Sequence, residues 1–440
     1  RGSPVQLKQI VSTPALMKDA KNRTVPFLID RSYSEGMDVA SYWTTLHGAR
    51  KGTIQKTQGV REPGYLSKLI INSTMGQLIT EEDCGTTQGV AMDVDDPDIL
   101  DRYLSSGSRF GKRRYRAGTP TTPELISSAR RGKKSTVMVR SPLRCQSKDG
   151  ICRKCMGLSE NGKSYDIGTN IGVIAGQSIG EPSTQLSLNV FHTGGLAKGK
   201  GAQSFSTFDR MKQLLTMPKE VPDEAPLALK GGKVEKVEKA PQGGEYLYVG
   251  GSQHYIPSTQ TRAFKKGDSI GRGDSLTLDG VVNPKQLLAL KGIEAVQDYL
   301  SGHIHDVLKQ AAPVRKRNVE VVVKSLTNVT VIDDPGDHPD WAPGDLRPAS
   351  QVLAWNRSSK KKKSATHTPV LKGIDVLPKE LEEDWVARMN FQDLGRTLSK
   401  ASREGWRSNI HGFNPIPSLA HATEFGKGKE KLGPEWRGQY

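Results

Sequence analysis

No apolar run among the 440 residues approaches the ~20 needed to cross a bilayer, and no signal-peptide pattern opens the chain. A helical membrane span is excluded, and the expectation is an intracellular chain. Arg1 rather than Met stands first, as in a processed or partial chain. Cysteine is scarce: four residues in 440 do not build a secreted disulfide framework. Hydrophobic residues make up only 35%, so much of the chain must be surface, linker or interface. Acid is in deficit, with 47 Asp and Glu against 64 Lys and Arg and a net charge of +17. That balance points to a polyanionic partner, nucleic acid first, or to acidic sister subunits.

The elements follow from local pattern. Ser3-Pro4-Val5-Gln6 has the cap, Pro and Gln of a helix start. Residues 37–80 look helical, yet Gly48, Gly52, Gly59, Pro63 and Gly64 argue for a bend or break near 59–64. STVMV before Cys145 is β-prone, and residues 171–217 read as helix, helix, glycine-rich loop, helix. Between 227 and 281 short strands with Gly-Asp turns predict a small sandwich or barrel. Residues 284–312 read as helix, VEVVVKSL (319–326) as a strand, 334–368 as an exposed loop ending in Lys360 to Lys363, and 376–412 as basic helices.

All the cysteines fit one site. Cys84 stands far upstream of Cys145, Cys152 and Cys155, which form C-x6-C-x2-C in CQSKDGICRKC. Thiolates two residues apart can turn onto one tetrahedral ion, with a fourth ligand from far along the chain. A closed four-sulfur shell has no open position for water, so structural zinc is expected rather than catalysis. The alternatives are a redox pair, which lacks its βαβ surroundings, and isolated core thiols.

The stretch STQLSLNVFHTGG, Ser183–Gly195, carries the other constellation. In a helix over 183–193, started by Glu181-Pro182, the residues Gln185, Leu188, Asn189 and His192 share a face. Gly194 and Gly195 then stop it. On spacing alone His192 reads first as an ordinary half-exposed histidine. Gly194 to Lys200 mimics a phosphate-binding loop, but Gly201 follows where Ser or Thr is required. Asp93, Asp95, Asp96 and Asp98 read as a solvated loop rather than a cation site.

GVIAGQSIGEPSTQLSLNVFHTGG resembles the trigger loop of multisubunit DNA-directed RNA polymerases, in the largest (β′) subunit. HGARKG…GYLSKLI resembles the bridge helix. EEDCGT with CQSKDGICRKC resembles the four-cysteine zinc site of the bacterial form. RGSPVQLKQI is similar to the segment before the bridge helix, and MNFQDLGRTLSKAS to the C-terminal switch region. The order is the family's throughout.

The resemblance implies a mixed α+β subunit fragment. Its parts would be a pre-bridge segment (1–36), a bridge helix region (37–80), a zinc element (81–158) and a trigger-loop helical hairpin (159–217). A β sandwich-barrel, jaw-like region (218–340) and a basic loop with switch or clamp-like helices (341–440) would follow. It implies that Leu188 packs on the nucleobase of the incoming NTP, Gln185 and Asn189 sense the sugar hydroxyls, and His192 meets the phosphates as acid or charge stabiliser. Arg1 falls where the family places a triphosphate-contacting arginine. Arg50, Lys51 and Lys68 are candidates for nucleic-acid phosphates, or else solvated charges.

The family's Asn-Ala-Asp-Phe-Asp-Gly-Asp motif is absent from the sequence. The resemblance therefore implies Mg²⁺ bound by a partner chain, in a split subunit of the giant-bacteriophage type acting in an infected bacterial cell. Expected partners are the N-terminal β′-like chain, β-like subunits, template DNA, RNA transcript, NTPs and an initiation factor. The competing class is a zinc-stabilised nucleic-acid-binding scaffold with no catalytic role.

Overall fold

The computed structural model describes residues 4–19, 23–110, 113–189, 207–221, 223–358, 363–381, 385–391, 394–407 and 415–420. Its helices are α1 (Pro4–Val11), α2 (Val39–Gln58), α3 (Arg61–Thr74), α4 (Pro123–Arg131), α5 (Arg153–Met156), α6 (Ile171–Asn189), α7 (Thr207–Thr216), α8 (Pro284–Lys291), α9 (Ile293–Leu308), α10 (Lys316–Thr327), α11 (Ala349–Ser358), α12 (Leu377–Glu380), α13 (Trp385–Phe391), α14 (Leu394–Glu404) and α15 (Pro415–Ala420). Its strands are β1 (Ile79–Glu81), β2 (Val90–Asp93), β3 (Ser108–Phe110), β4 (Arg113–Tyr115), β5 (Thr136–Val139), β6 (Ile151–Cys152), β7 (Gly232–Lys239), β8 (Glu245–Val249), β9 (Ser252–Ile256), β10 (Ser269–Ile270), β11 (Thr330–Asp334), β12 (Leu346–Arg347) and β13 (Thr366–Pro369). The fold is mixed α and β, and no helix among the described residues is long and apolar enough to cross a membrane.

The chain divides into two compact units. The first comprises residues 1–71, 176–212 and 304–314. Here α2 is long and mostly polar. Three of its threonines, Thr44, Thr53 and Thr57, turn their hydroxyls onto carbonyls four residues back. The helical run is interrupted at Gly59-Val60 and resumes as α3, as the glycines and Pro63 led us to expect. Pro63 lies in the first turn of α3, where a missing N–H costs little.

The expectation that Pro182 ends one helix and starts another was wrong. α6 runs unbroken from Ile171 to Asn189 with Pro182 inside it. Proline removes one ladder bond, but the Ser183 hydroxyl donates to the Ile179 carbonyl at 2.6 Å beside the gap. Ile179, Ser183 and Leu186 are buried, so packing holds the helix across its weakest point.

The second unit comprises residues 72–175, 213–303 and 315–440. It contains a four-stranded antiparallel sheet in the order β10-β7-β8-β9. Ala228, Val234, Leu247, Val249, Ile256, Ile270 and Leu276 fill its inner face. The sheet is a half-barrel rather than a closed sandwich. A separate small core gathers around β2, β5 and α4, with Met92, Ile99, Leu104, Phe110, Leu125 and Val139.

Two other expectations fail in this unit. VEVVVKSL is not a strand but most of α10, in which every residue from Val319 to Thr327 is buried. A short valine run reads as a strand by propensity, yet a helix buried all round needs the same apolar residues. Residues 334–368 are not one exposed loop, since they carry β12, α11 and part of β13. Val352 of α11 packs with Ile332 and Ala365, and Trp341 and Trp355 lie against that cluster.

Candidate functional site

The four cysteines converge. Cys84 follows β1, Cys145 ends the short 3-10 turn Pro142–Arg144, Cys152 closes β6 and Cys155 lies in α5. Strands β1 and β6 pair in parallel, which sets the upstream cysteine beside the downstream three. Gly150 makes that turn at φ +66°, and a Cβ there would collide with the Leu78 carbonyl oxygen. The four Sγ atoms all lie within 4.8 Å of one another. Cys84 is 3.7 Å from Cys155 and 3.8 Å from Cys145, sulfur to sulfur. A tetrahedral ion with metal–sulfur bonds of about 2.3 Å requires sulfurs about 3.8 Å apart. The donor set therefore fits a metal ion.

Hydrogen-bond donors surround the sulfurs. Backbone amides of Gln146, Cys152 and Cys155 donate to the sulfurs of Cys84, Cys145 and Cys152 at 3.3–3.4 Å. The Arg140 guanidinium donates to Cys84 and Cys155 at 3.6 Å each, and is itself held by Asp83 at 2.8 Å. Bonds donated by the Cys152 and Cys155 thiols hold Cys145 well below the ordinary thiol range, and the bond to Cys145 pushes Cys155 well above it. The shared bonds lower the thiol pKa at Cys84 and Cys145 and raise it at Cys152 and Cys155.

A buried polar network braces this element. Arg102 and Glu320, both 1% exposed, form a two-pronged pair at 2.7 and 2.9 Å. Ser141, four residues before Cys145, donates to the same carboxylate at 2.7 Å. Burial alone would raise the Glu320 pKa, but the Arg102 charge and these bonds hold it below its usual value. Arg317 donates to the carbonyls of Leu100 at 2.7 Å and Leu158 at 2.6 Å. Burial lowers its pKa to about 10. The sequence reading missed all of these residues. The one available signal was a glutamate and two basic residues set four or three apart in a valine run.

The second constellation lies in the first unit. Helix α6 approaches α3 so closely that a Cβ on Gly180 would stand 2.7 Å from the Ser67 hydroxyl. About two turns further on, the Ser187 hydroxyl donates to the Gly59 carbonyl at 3.1 Å. That carbonyl belongs to the interruption between α2 and α3. Lys212 of α7 reaches Glu62 of α3 at 3.7 Å.

Residues 36–375 match the family model described as RNA polymerase Rpb1, domain 5. The chain belongs to this family. The cysteine cluster, α2, α3 and α6 all fall inside the matched span of this Rpb1 domain 5 chain. It is 30% identical over 458 residues to the DNA-directed RNA polymerase subunit β′ of Tropheryma whipplei (strain TW08/27), covering 97% of this chain and 35% of that protein. The β′ subunit of Paenarthrobacter aurescens (strain TC1) is 31% identical over 440 residues, covering 94% and 33%. That of Acetivibrio thermocellus is 31% identical over 431 residues, covering 92% and 36%. The chain thus spans about a third of the length of these relatives.

In this Rpb1 domain 5 chain, Gln185 is exposed on the last turns of α6, and Leu188 and Asn189 end that helix. His192 and Arg1 lie outside the described residues. Arg50 and Lys68 are exposed on α2 and α3. Lys51 is only 8% exposed, and burial lowers its pKa.

Proposed function

We propose that this chain is the part of a β′-like subunit that completes the active centre of a DNA-directed RNA polymerase. On this reading α2 and α3 are the bridge helix, and α6 with the residues that follow is the trigger hairpin. Closure of that hairpin on a correct NTP brings Leu188 to the base, Gln185 and Asn189 to the sugar hydroxyls, and His192 to the phosphates, with Arg1 on the triphosphate. His192 then gives a proton to, or neutralises, the departing pyrophosphate. Arg50 and Lys68 offer their charge to nucleic-acid phosphates, and Lys51, being buried, is proposed as the weaker contact. The carrying observation is the seat of α6 on α3, with the Ser187 hydroxyl on the Gly59 carbonyl at the helix interruption. A mobile element that must act in concert with a neighbouring helix is well served by a bond at that helix's bend.

The metal is proposed to be zinc, held by Cys84, Cys145, Cys152 and Cys155. Bound there it ties distant segments together and supplies no reactive position. Mg²⁺ at the reaction centre is proposed to be held by carboxylates outside this sequence, on a β′-like partner, with β-like subunits, template DNA and transcript completing the assembly. The test is His192→Ala in the assembled polymerase. Single-nucleotide addition should slow at least about tenfold, the lower end of positioned acid catalysis being ~10². An unchanged rate would return the chain to the scaffold reading.

A further inference from the structure

Helix α10 is enclosed from Val319 to Thr327, and Lys324 stands inside that stretch. It is 4% exposed. Lysine is almost never fully buried unless it is paired. The Lys324 ammonium donates to the Gly150 carbonyl at 3.0 Å, and among the described residues no carboxylate stands in ion-pair reach of it. Glu320, one turn earlier on the same helix, has its carboxylate taken up by Arg102 and Ser141. A neutral carbonyl satisfies a donor but does not balance a charge, and a buried charge without a counter-charge is costly.

Other cations around the cysteine element each have an acid. Asp83 holds Arg140 and Lys154 at 2.8 Å each, and Arg144 meets Asp298 at 3.0 Å. What Lys324 has beside it is the cysteine turn. Gly150 lies between Cys145 and Cys152 in the sequence, and Lys324 and Cys145 border one cleft. Bonds with Cys152, Cys155 and Cys84 lower the Cys145 pKa, and the Lys324 charge lowers it further.

We propose that Lys324 is the buried counter-ion of the metal-loaded cysteine centre. The proposal rests on the reading of the four cysteines as a metal site. Cysteine binds a metal as thiolate. Four thiolates around a dication leave two negative charges in a closed shell, and three of these four cysteines are buried. Arg140 brings positive charge to Cys84 and Cys155, and Lys324 brings it to the turn between Cys145 and Cys152 from α10. The ammonium offsets the surplus charge of the loaded centre, and the loaded centre offsets the burial of the ammonium. Metal binding is thereby coupled to the packing of α10, the helix that also carries Arg317 and Glu320.

The test measures the zinc affinity of the full chain by competition with a chromophoric chelator at fixed pH. Lys324→Gln keeps a donor for the Gly150 carbonyl and removes the charge. Lys324→Met removes both and keeps the apolar stem. Each should weaken zinc binding about 10–100-fold, the usual effect of losing a partner just outside the ligands. Lys324→Arg, which keeps the charge, should recover much of that loss. Val322→Ala trims the same buried helix without altering charge, so its urea midpoint should fall while its zinc affinity stays near wild type. If one neutral variant misfolds, the other decides. The proposal is overturned if zinc affinity holds in the neutral variants, if Lys324→Arg weakens it as much as they do, or if Val322→Ala weakens it equally. Elemental mass spectrometry of the wild-type chain reads the metal assignment separately. A chain that holds no metal overturns both ideas, whereas full loading with unaltered affinity in the neutral variants overturns this one alone.

Discussion

Replacing Glu320 by Gln tests whether the cysteine element is braced by its buried ion pair. The carboxylate accepts three bonds, from both Arg102 nitrogens at 2.7 and 2.9 Å and from Ser141 at 2.7 Å. An amide keeps the shape but turns an NH₂ donor toward the guanidinium or the hydroxyl, and removes the charge opposing Arg102. With Arg102 1% exposed, water cannot take over. Breaking one partner of such a pair costs about 3–5 kcal/mol. Three separate hydrogen-bond values must not be added to this, because that figure already contains them. Arg102→Met should cost a similar amount. The pair replaced together, Arg102→Met/Glu320→Leu, should lie between neutral and about 1–4 kcal/mol more stable, since neither charge then needs dehydrating. The assay is a double-mutant cycle from urea unfolding, followed by the fluorescence of the chain's six tryptophans, of which Trp341 and Trp355 lie in the same unit as the pair. The reasoning is refuted if either single change costs under about 1 kcal/mol, or if the double change costs the sum of the two.

Three further outcomes are expected. Glu320 titrates below its usual value of 4.5 in the folded chain, so its stabilisation is complete above that pH and is lost as pH falls through the folded value; urea midpoints should drop on acidification in the wild type, and much less in Glu320→Gln. Cys152→Ser should remove bound metal, read by elemental mass spectrometry, and should loosen residues 78–84 and 145–157 together in hydrogen exchange. Ser187→Ala should cost about 0.5–1.5 kcal/mol, visible as faster hydrogen exchange confined to the Gly59 to Leu66 segment, and unchanged exchange there would remove the role given to that hydroxyl.

The sequence announced some features through residues whose chemistry admits few uses. Four cysteines at metal spacing could hardly serve separately, and the structure brings them together. Glycines and a proline inside a polar helical run marked a break, and it falls at Gly59-Val60. Elsewhere local rules lost to packing. Pro182 should have ended a helix, but buried neighbours carry α6 through it. The valines of α10 should have made a strand, yet a helix enclosed on every side uses the same residues. Least legible was the buried polar network. Arg102, Ser141, Arg317 and Glu320 are scattered over more than two hundred positions, and no short-range pattern links a residue to a partner it meets only on folding.

Arg317 has a consequence for the order in which the molecule can be made. It closes on the Met156 and Leu158 carbonyls across 161 and 159 positions of chain. A ribosome adds about 5–20 residues each second, so all four cysteines are synthesised roughly 8–30 s before the arginine that clasps the end of their element. During that interval the β1–β6 pairing and the Arg140 bonds to Asp83 and the sulfurs can already form, and only the clasp on Met156 and Leu158 is still missing.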